Sequence, residues 1–94
     1  MKHYEIMAIY NIDLGEEGAL NLSKEVKDLI ISLDGKIVSD SFWGKRRFAY
    51  RVGLQENGYY DVVQLDLEGA KMSDLKSKLN GQDDLIRYLI TALE

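Results

Sequence analysis

The sequence predicts an α+β domain in which four antiparallel strands form one sheet and two helices lie across one of its faces. Three observations predict it. Stretches of β-rich residues and stretches of helical periodicity follow one another in the order βαββαβ. The two middle strands are separated by a short turn containing Asn57-Gly58, so they form a hairpin. A β-α-β crossover on each side, right-handed by rule, then fixes the spatial strand order as 4-1-3-2.

Each element has a local cause. Residues 3–10, His-Tyr-Glu-Ile-Met-Ala-Ile-Tyr, are β-rich and only half alternating, as in a central strand. A loop from Asn11 to Gly15 follows, in which Asp13 and Glu16 have the spacing of a capping box. From about Glu16 to Asp34, Ala19, Leu22, Val26, Leu29, Ile30 and Leu33 share one helical stripe, with Lys24, Glu25, Lys27 and Asp28 largely opposite. Gly35 is read as the helix stop, in the left-handed conformation. Residues 36–52 are extended, with a bulge or bend at Trp43-Gly44. The turn is placed at residues 55–58 and the return strand at 59–67. Gly69 opens a short helix carrying Met72, Leu75 and Leu79, ended by Asn80-Gly81, and residues 85–93 form the fourth strand. The whole is a ferredoxin-like βαββαβ sandwich, with one sheet face left without a helix over it.

Ninety-four residues with 46% hydrophobic and 30% charged content predict one soluble domain spanning residues 1–94. No apolar run is long enough to span a bilayer, and Met1-Lys2-His3-Tyr4-Glu5 is no signal-peptide start. With no cysteine, disulfide and thiol chemistry are excluded and the expected compartment is the cytoplasm.

Alternation assigns the uncovered face. Glu5 marks the outward side of the first strand and carries Met7 and Ile9 with it, while Ile6, Ala8 and Tyr10 turn inward. Gln64 and Asp66 do the same for Tyr60 and Val62, as Arg87 and Thr91 do for Leu89. An apolar patch spread over three adjacent strands points to a protein partner. Tyr4, Met7, Ile9, Tyr60, Val62 and Leu89 are the candidates for that contact.

The second strand has a different character. Between Ser41 and Gln55 stand Lys45, Arg46, Arg47 and Arg51 with no acidic residue, in a chain of net charge −4. A locally basic strand interleaved with Phe48 and Tyr50 fits an anionic partner, with arginines for phosphates and aromatics for bases. Alternation places Lys45, Arg47 and Arg51 on one side and Arg46 on the other. Lys2 and Arg87, on neighbouring strands, are added as supporting charges.

Catalysis is rejected. His3 is the one histidine, and without cysteine or a second histidine there is no metal site and no nucleophile–base pair. Asp83-Asp84 are neighbours that point apart on an extended chain. The first loop, Asn11-Ile12-Asp13-Leu14-Gly15, lacks the arginine that an acyl-phosphate hydrolase on this fold would need. The third strand, Gly58-Tyr59-Tyr60-Asp61-Val62-Val63, lacks the aromatic signature of an RNA recognition motif. No cofactor and no small-molecule substrate are expected. From these residues alone, a regulatory or dimerisation module with no RNA role stands as the alternative to an RNA-binding protein.

Three stretches resemble a known family. Lys2-His3-Tyr4-Glu5-Ile6-Met7, Gly44-Lys45-Arg46-Arg47-Phe48-Ala49-Tyr50 followed by Gly58-Tyr59-Tyr60, and Asp84-Leu85-Ile86-Arg87-Tyr88-Leu89-Ile90 together resemble bacterial small-subunit ribosomal protein six over nearly the full length. The family usually has leucine where Phe48 stands and proline where Ile12 and Arg51 stand, and often a bulkier apolar residue at Ala8. The resemblance implies a non-catalytic constituent of the small ribosomal subunit. It also implies binding to the central domain of small-subunit ribosomal RNA, as a heterodimer with ribosomal protein eighteen.

Overall fold

The computed structural model describes residues 1–52 and 55–93, of which 48–52 and 55–56 are described by backbone alone. The chain runs β1 (Lys2–Asn11), α1 (Gly15–Ser32), β2 (Lys36–Val52), β3 (Gln55–Leu67), α2 (Met72–Asn80) and β4 (Leu85–Leu93). The strands form one antiparallel sheet in the order β2-β3-β1-β4, the predicted 4-1-3-2 arrangement.

The core lies between the sheet and the helices. From the sheet come Tyr4, Ile6, Ala8 and Tyr10 of β1 with Val63, Leu65 and Leu67 of β3. Ala19, Leu22, Val26 and Ile30 of α1 and Leu75 and Leu79 of α2 meet them from the same side. Every second residue of β1 is buried, as a strand with one covered face requires.

A polar pin crosses this core. The Tyr10 hydroxyl and the Ser23 hydroxyl each donate to Asp61 Oδ2 at 2.6 Å, tying β1, α1 and β3 together. Asp61 is only 1% exposed, and its second oxygen, Oδ1, is buried without a hydrogen-bond partner. Burial above all, then the Asp61 charge and hydrogen bond, pushes the Tyr10 hydroxyl far above the ordinary phenol range. Because Asp61 is locked inward, Tyr60 and Val62 on either side of it are turned to the uncovered face.

Several local expectations are corrected. The Asp13–Glu16 capping box is replaced by a 3-10 turn, Ile12–Leu14, capped by Asn11, whose side chain accepts from the Asp13 N–H at 2.9 Å. Gly15 then starts α1 at φ 71°, and Leu14 gives no side-chain cap. At the other end the left-handed residue is Asp34, at φ 63°, not Gly35. Gly35 is needed for a different reason: a Cβ there would lie 2.7 Å from Ile30 Cγ2 and 2.9 Å from the Ile30 carbonyl oxygen. Asp34 accepts from Lys71 Nζ at 2.8 Å, which holds its carboxyl below the usual range.

The hairpin also turns earlier in the chain than the Asn57-Gly58 dipeptide indicates. Arg47 pairs with Asn57 and Arg46 with Gly58, so both turn-forming residues sit inside β3. Val52 pairs with Gln55, and residues 53–54 between them lie outside the described residues. Gly58 is buried and pairs on its other side with Asn11, so two ladders outweigh its local turn preference.

Candidate functional site

Strand pairing arranges the uncovered face in rows. Ser41, Val62, Met7 and Leu89 lie opposite one another across β2, β3, β1 and β4. The next row runs Gly44, Tyr60, Ile9 and Arg87. On the other side of the first, Ser39, Gln64, Glu5 and Thr91 form a polar row, in which Gln64 donates to Glu5 at 3.2 Å. Leu89 is 63% exposed, and Met7, Ile9, Tyr60 and Val62 are half-buried, so an apolar band crosses β3, β1 and the edge strand β4.

Two exposed apolar residues of β2 were not singled out by alternation alone. The β2–β3 register shifts past Val38 and again past Trp43, so β2 carries a bulge at each. Gly44, at φ 79°, supplies the left-handed conformation of the second bulge, the one expected from sequence. Trp43, two residues on from Ser41, is 44% exposed beside this band, while Val38, at 54%, lies beyond the polar row in a shallow cleft with His3, Gln64 and Asp66. The signal for Trp43 was the adjoining glycine. Val38 had none, because nothing in its neighbourhood marks a bulge.

Tyr4 does not belong to this face. It is 9% exposed and packs in the core with Ile6, since it shares their parity and opposes that of Glu5. The partner candidates brought together are Met7, Ile9, Tyr60, Val62 and Leu89.

The basic residues are divided. Lys45 pairs with Tyr59 and Arg47 with Asn57, on the helix side of the sheet, whereas Arg46 pairs with Gly58 on the uncovered side. All three are exposed, and Arg46 donates from Nη1 to the Lys45 carbonyl at 3.0 Å. The last β1–β3 pair is Asn11 with Gly58, so from Arg47 onward β2 and β3 run past the four-stranded body as a two-stranded arm. The Arg51 side chain lies outside the described residues. Arg87 joins the uncovered face one row from Arg46. Lys2 does not join the cluster: it pairs with Leu67 at the opposite end of β1, nine residues from Asn11 and roughly 30 Å away.

Elsewhere the described surface offers little chemistry. His3 pairs with Asp66 at the exposed end of β1. A cleft of about 400 Å³ lies between the start of α1 and the α2–β4 connection, lined by Leu14, Asn21, Glu25, Gln82, Asp83 and Asp84. No group of three or more His, Cys, Asp or Glu able to hold a metal occurs among the described residues.

A sequence model of the family described as "Ribosomal protein S6" matches residues 3–92. The chain belongs to the ribosomal protein S6 family. That is a family of structural proteins, not enzymes. The small ribosomal subunit protein bS6 of Moorella thermoacetica is 35% identical over 94 residues, spanning 100% of this chain and 96% of that one. Its counterpart in Fusobacterium nucleatum is 33% identical over 90 residues, spanning 96% of each chain. The crystal structure of 30S ribosomal protein S6 from Thermotoga maritima superposes with a TM-score of 0.92 at 28% identity, covering 98% of this chain and 87% of that one. The C-terminal domain of the MgtC protein from Mycobacterium tuberculosis, at 14% identity and a TM-score of 0.64, shares the fold alone.

Proposed function

We propose that this ribosomal protein S6 family member acts in the cytoplasm as one domain of the small ribosomal subunit. There it docks ribosomal protein eighteen as a heterodimer and binds the central domain of small-subunit ribosomal RNA. The observation that carries the reading is the adjacency of an apolar sheet face to a basic arm that projects beyond it. The band of Met7, Ile9, Val62 and Leu89 suits a folded protein partner. The arm, with Lys45 and Arg47 on one side and Arg46 on the other, straddles a polyanion better than it lies flat on one.

Electrostatics favours pairing first. A chain of net charge −4 repels RNA at long range, and a cationic companion removes that barrier. The isolated chain is therefore expected to bind RNA weakly, and the protein pair strongly.

The test reverses one exposed charge. Arg47→Glu is expected to weaken RNA binding by the protein pair about tenfold and to flatten the salt dependence by about one counterion. Its melting curve should move little, since an exposed strand substitution changes stability by about 0.5 kcal/mol or less. Filter binding across a salt series, with calorimetry alongside, gives both readings. Equal loss of fold and of binding would make Arg47 a structural residue and remove the arm from the interface.

A further inference from the structure

Among the large apolar side chains that the described residues leave exposed, Trp43 alone is aromatic. Both of its neighbours are fixed. Phe42 opposes the buried Asp61, packs against the core and stacks on Tyr59, with ring centroids 6.2 Å apart and planes 17° from parallel. Gly44 takes the left-handed conformation that a residue with a Cβ rarely adopts. The indole is therefore held out from a braced stretch of β2, between a ring tied to the core and a glycine bulge.

Its surroundings are cationic. Lys45, Arg46 and Arg47 follow within four residues and all three are exposed, with no carboxylate on the chain between Ser41 and Gln55. Arg46 is steadied by its bond to the Lys45 carbonyl.

We propose that Trp43 is the stacking platform for one unpaired base of the bound RNA, with the adjoining cations of the arm taking nearby phosphates. This rests on the RNA-binding reading above. It adds the form of RNA recognised, a strand with a base turned out and not a continuous duplex.

Shape and charge choose a base over the protein partner as the occupant. An indole offers a flat face that stacks on any base, and a paired base keeps its own faces inside the helix. The three cations beside Trp43 attract a polyanion and repel a cationic companion. The row of Ser41, Val62, Met7 and Leu89 carries no charge and suits that companion instead.

Trp43 is the chain's one tryptophan, so its emission reports the site directly. The pair formed with ribosomal protein eighteen is titrated with a transcript of the central domain of small-subunit RNA. The same titration of the Trp43→Phe pair supplies the background, and the difference belongs to Trp43. That difference should be strongly quenched as binding saturates. A fully paired RNA of equal length, bound to the same occupancy, should leave it unchanged.

Affinity gives the second reading. Trp43→Leu should weaken transcript binding about tenfold, and Trp43→Phe, which keeps an aromatic face, should stay within about threefold of the parent. The salt dependence should not change in either, because no phosphate contact is lost. Assembly of the protein pair without RNA, and the melting curve, should be the same in Trp43→Leu as in the parent.

Tight transcript binding with no quenching and no loss in Trp43→Leu would overturn the stacking and leave the RNA reading standing. A parent pair that binds no transcript would overturn both. Weakened assembly of the Trp43→Leu pair without RNA would give the indole to the protein partner, and equal quenching by the fully paired RNA would overturn the unpaired base.

Discussion

Gly35→Ala is expected to lower the unfolding free energy by about 3 kcal/mol, at the top of the range for an overpacked site. The added Cβ would fall 2.7 Å from Ile30 Cγ2, 2.9 Å from the Ile30 carbonyl oxygen and 3.1 Å from the Asp66 carbonyl oxygen. Two of these neighbours are backbone, and Ile30 is fully buried against the sheet, so none can move aside without disturbing α1 or β3. The Gly35 N–H also donates to the Ile30 carbonyl at 2.9 Å, so a shift that relieves the clash stretches the helix stop. For a domain of this size the loss corresponds to a fall in Tm of about 15 °C. Gly15→Ala is the contrast. Its φ of 71° carries strain, but nothing lies within 4 Å of the new Cβ, so the cost is about 1 kcal/mol. Thermal melts of the two variants should differ accordingly; equal effects would mean that backbone conformation and not crowding decides both.

Tyr10→Phe is expected to cost about 2 kcal/mol at neutral pH, because Asp61 then keeps only the Ser23 hydroxyl as donor. It should also change the response to alkali. The folded-state pKa of Tyr10 is raised, mainly by burial, above the unfolded value of about 10. A raised pKa contributes stability that is fully present below pH 10 and is lost as pH rises further, at about 1.4 kcal/mol per pH unit. Tyr10→Phe removes this limb. Denaturant unfolding between pH 8 and pH 11 should therefore show a smaller alkaline slope in the variant than in the parent; parallel slopes would refute the role of the Tyr10 proton.

The parts of the fold legible in the sequence were those with a long period. The stripe of Ala19, Leu22, Val26 and Ile30 and the alternation of β1 each repeat often enough to fix an element and its buried side. What failed was set by a partner at a distance. Asn57-Gly58 has the local chemistry of a tight turn, yet pairing with Arg46, Arg47 and Asn11 draws it into β3. Asp34 takes the left-handed conformation because the close approach of Gly35 to Ile30 leaves the turn no other place to bend.

The candidate site was legible to the same degree. Met7, Ile9, Val62 and Leu89 emerged from parity alone. Tyr4 shares the parity of Ile6 and so falls in the core and not on the uncovered face, and Val38 was missed because its bulge resets the count. The separation of Lys2 from Lys45 and Arg46 could not be read from charge, since it depends on the direction in which β1 runs between its neighbours.

The pairing of β1 with β4 has a consequence for how the chain is made. His3 lies opposite Leu93, so the strand synthesised first waits on one flank until the ribosome has delivered the fourth. Through that interval the backbone of Met7 and Ile9 can already be zipped to Val62 and Tyr60 on one side while still bare on the other. Long-range closure of this kind slows folding and leaves a sticky strand open during translation. The nascent chain is thus most vulnerable to misassociation in the moments before Leu93 emerges.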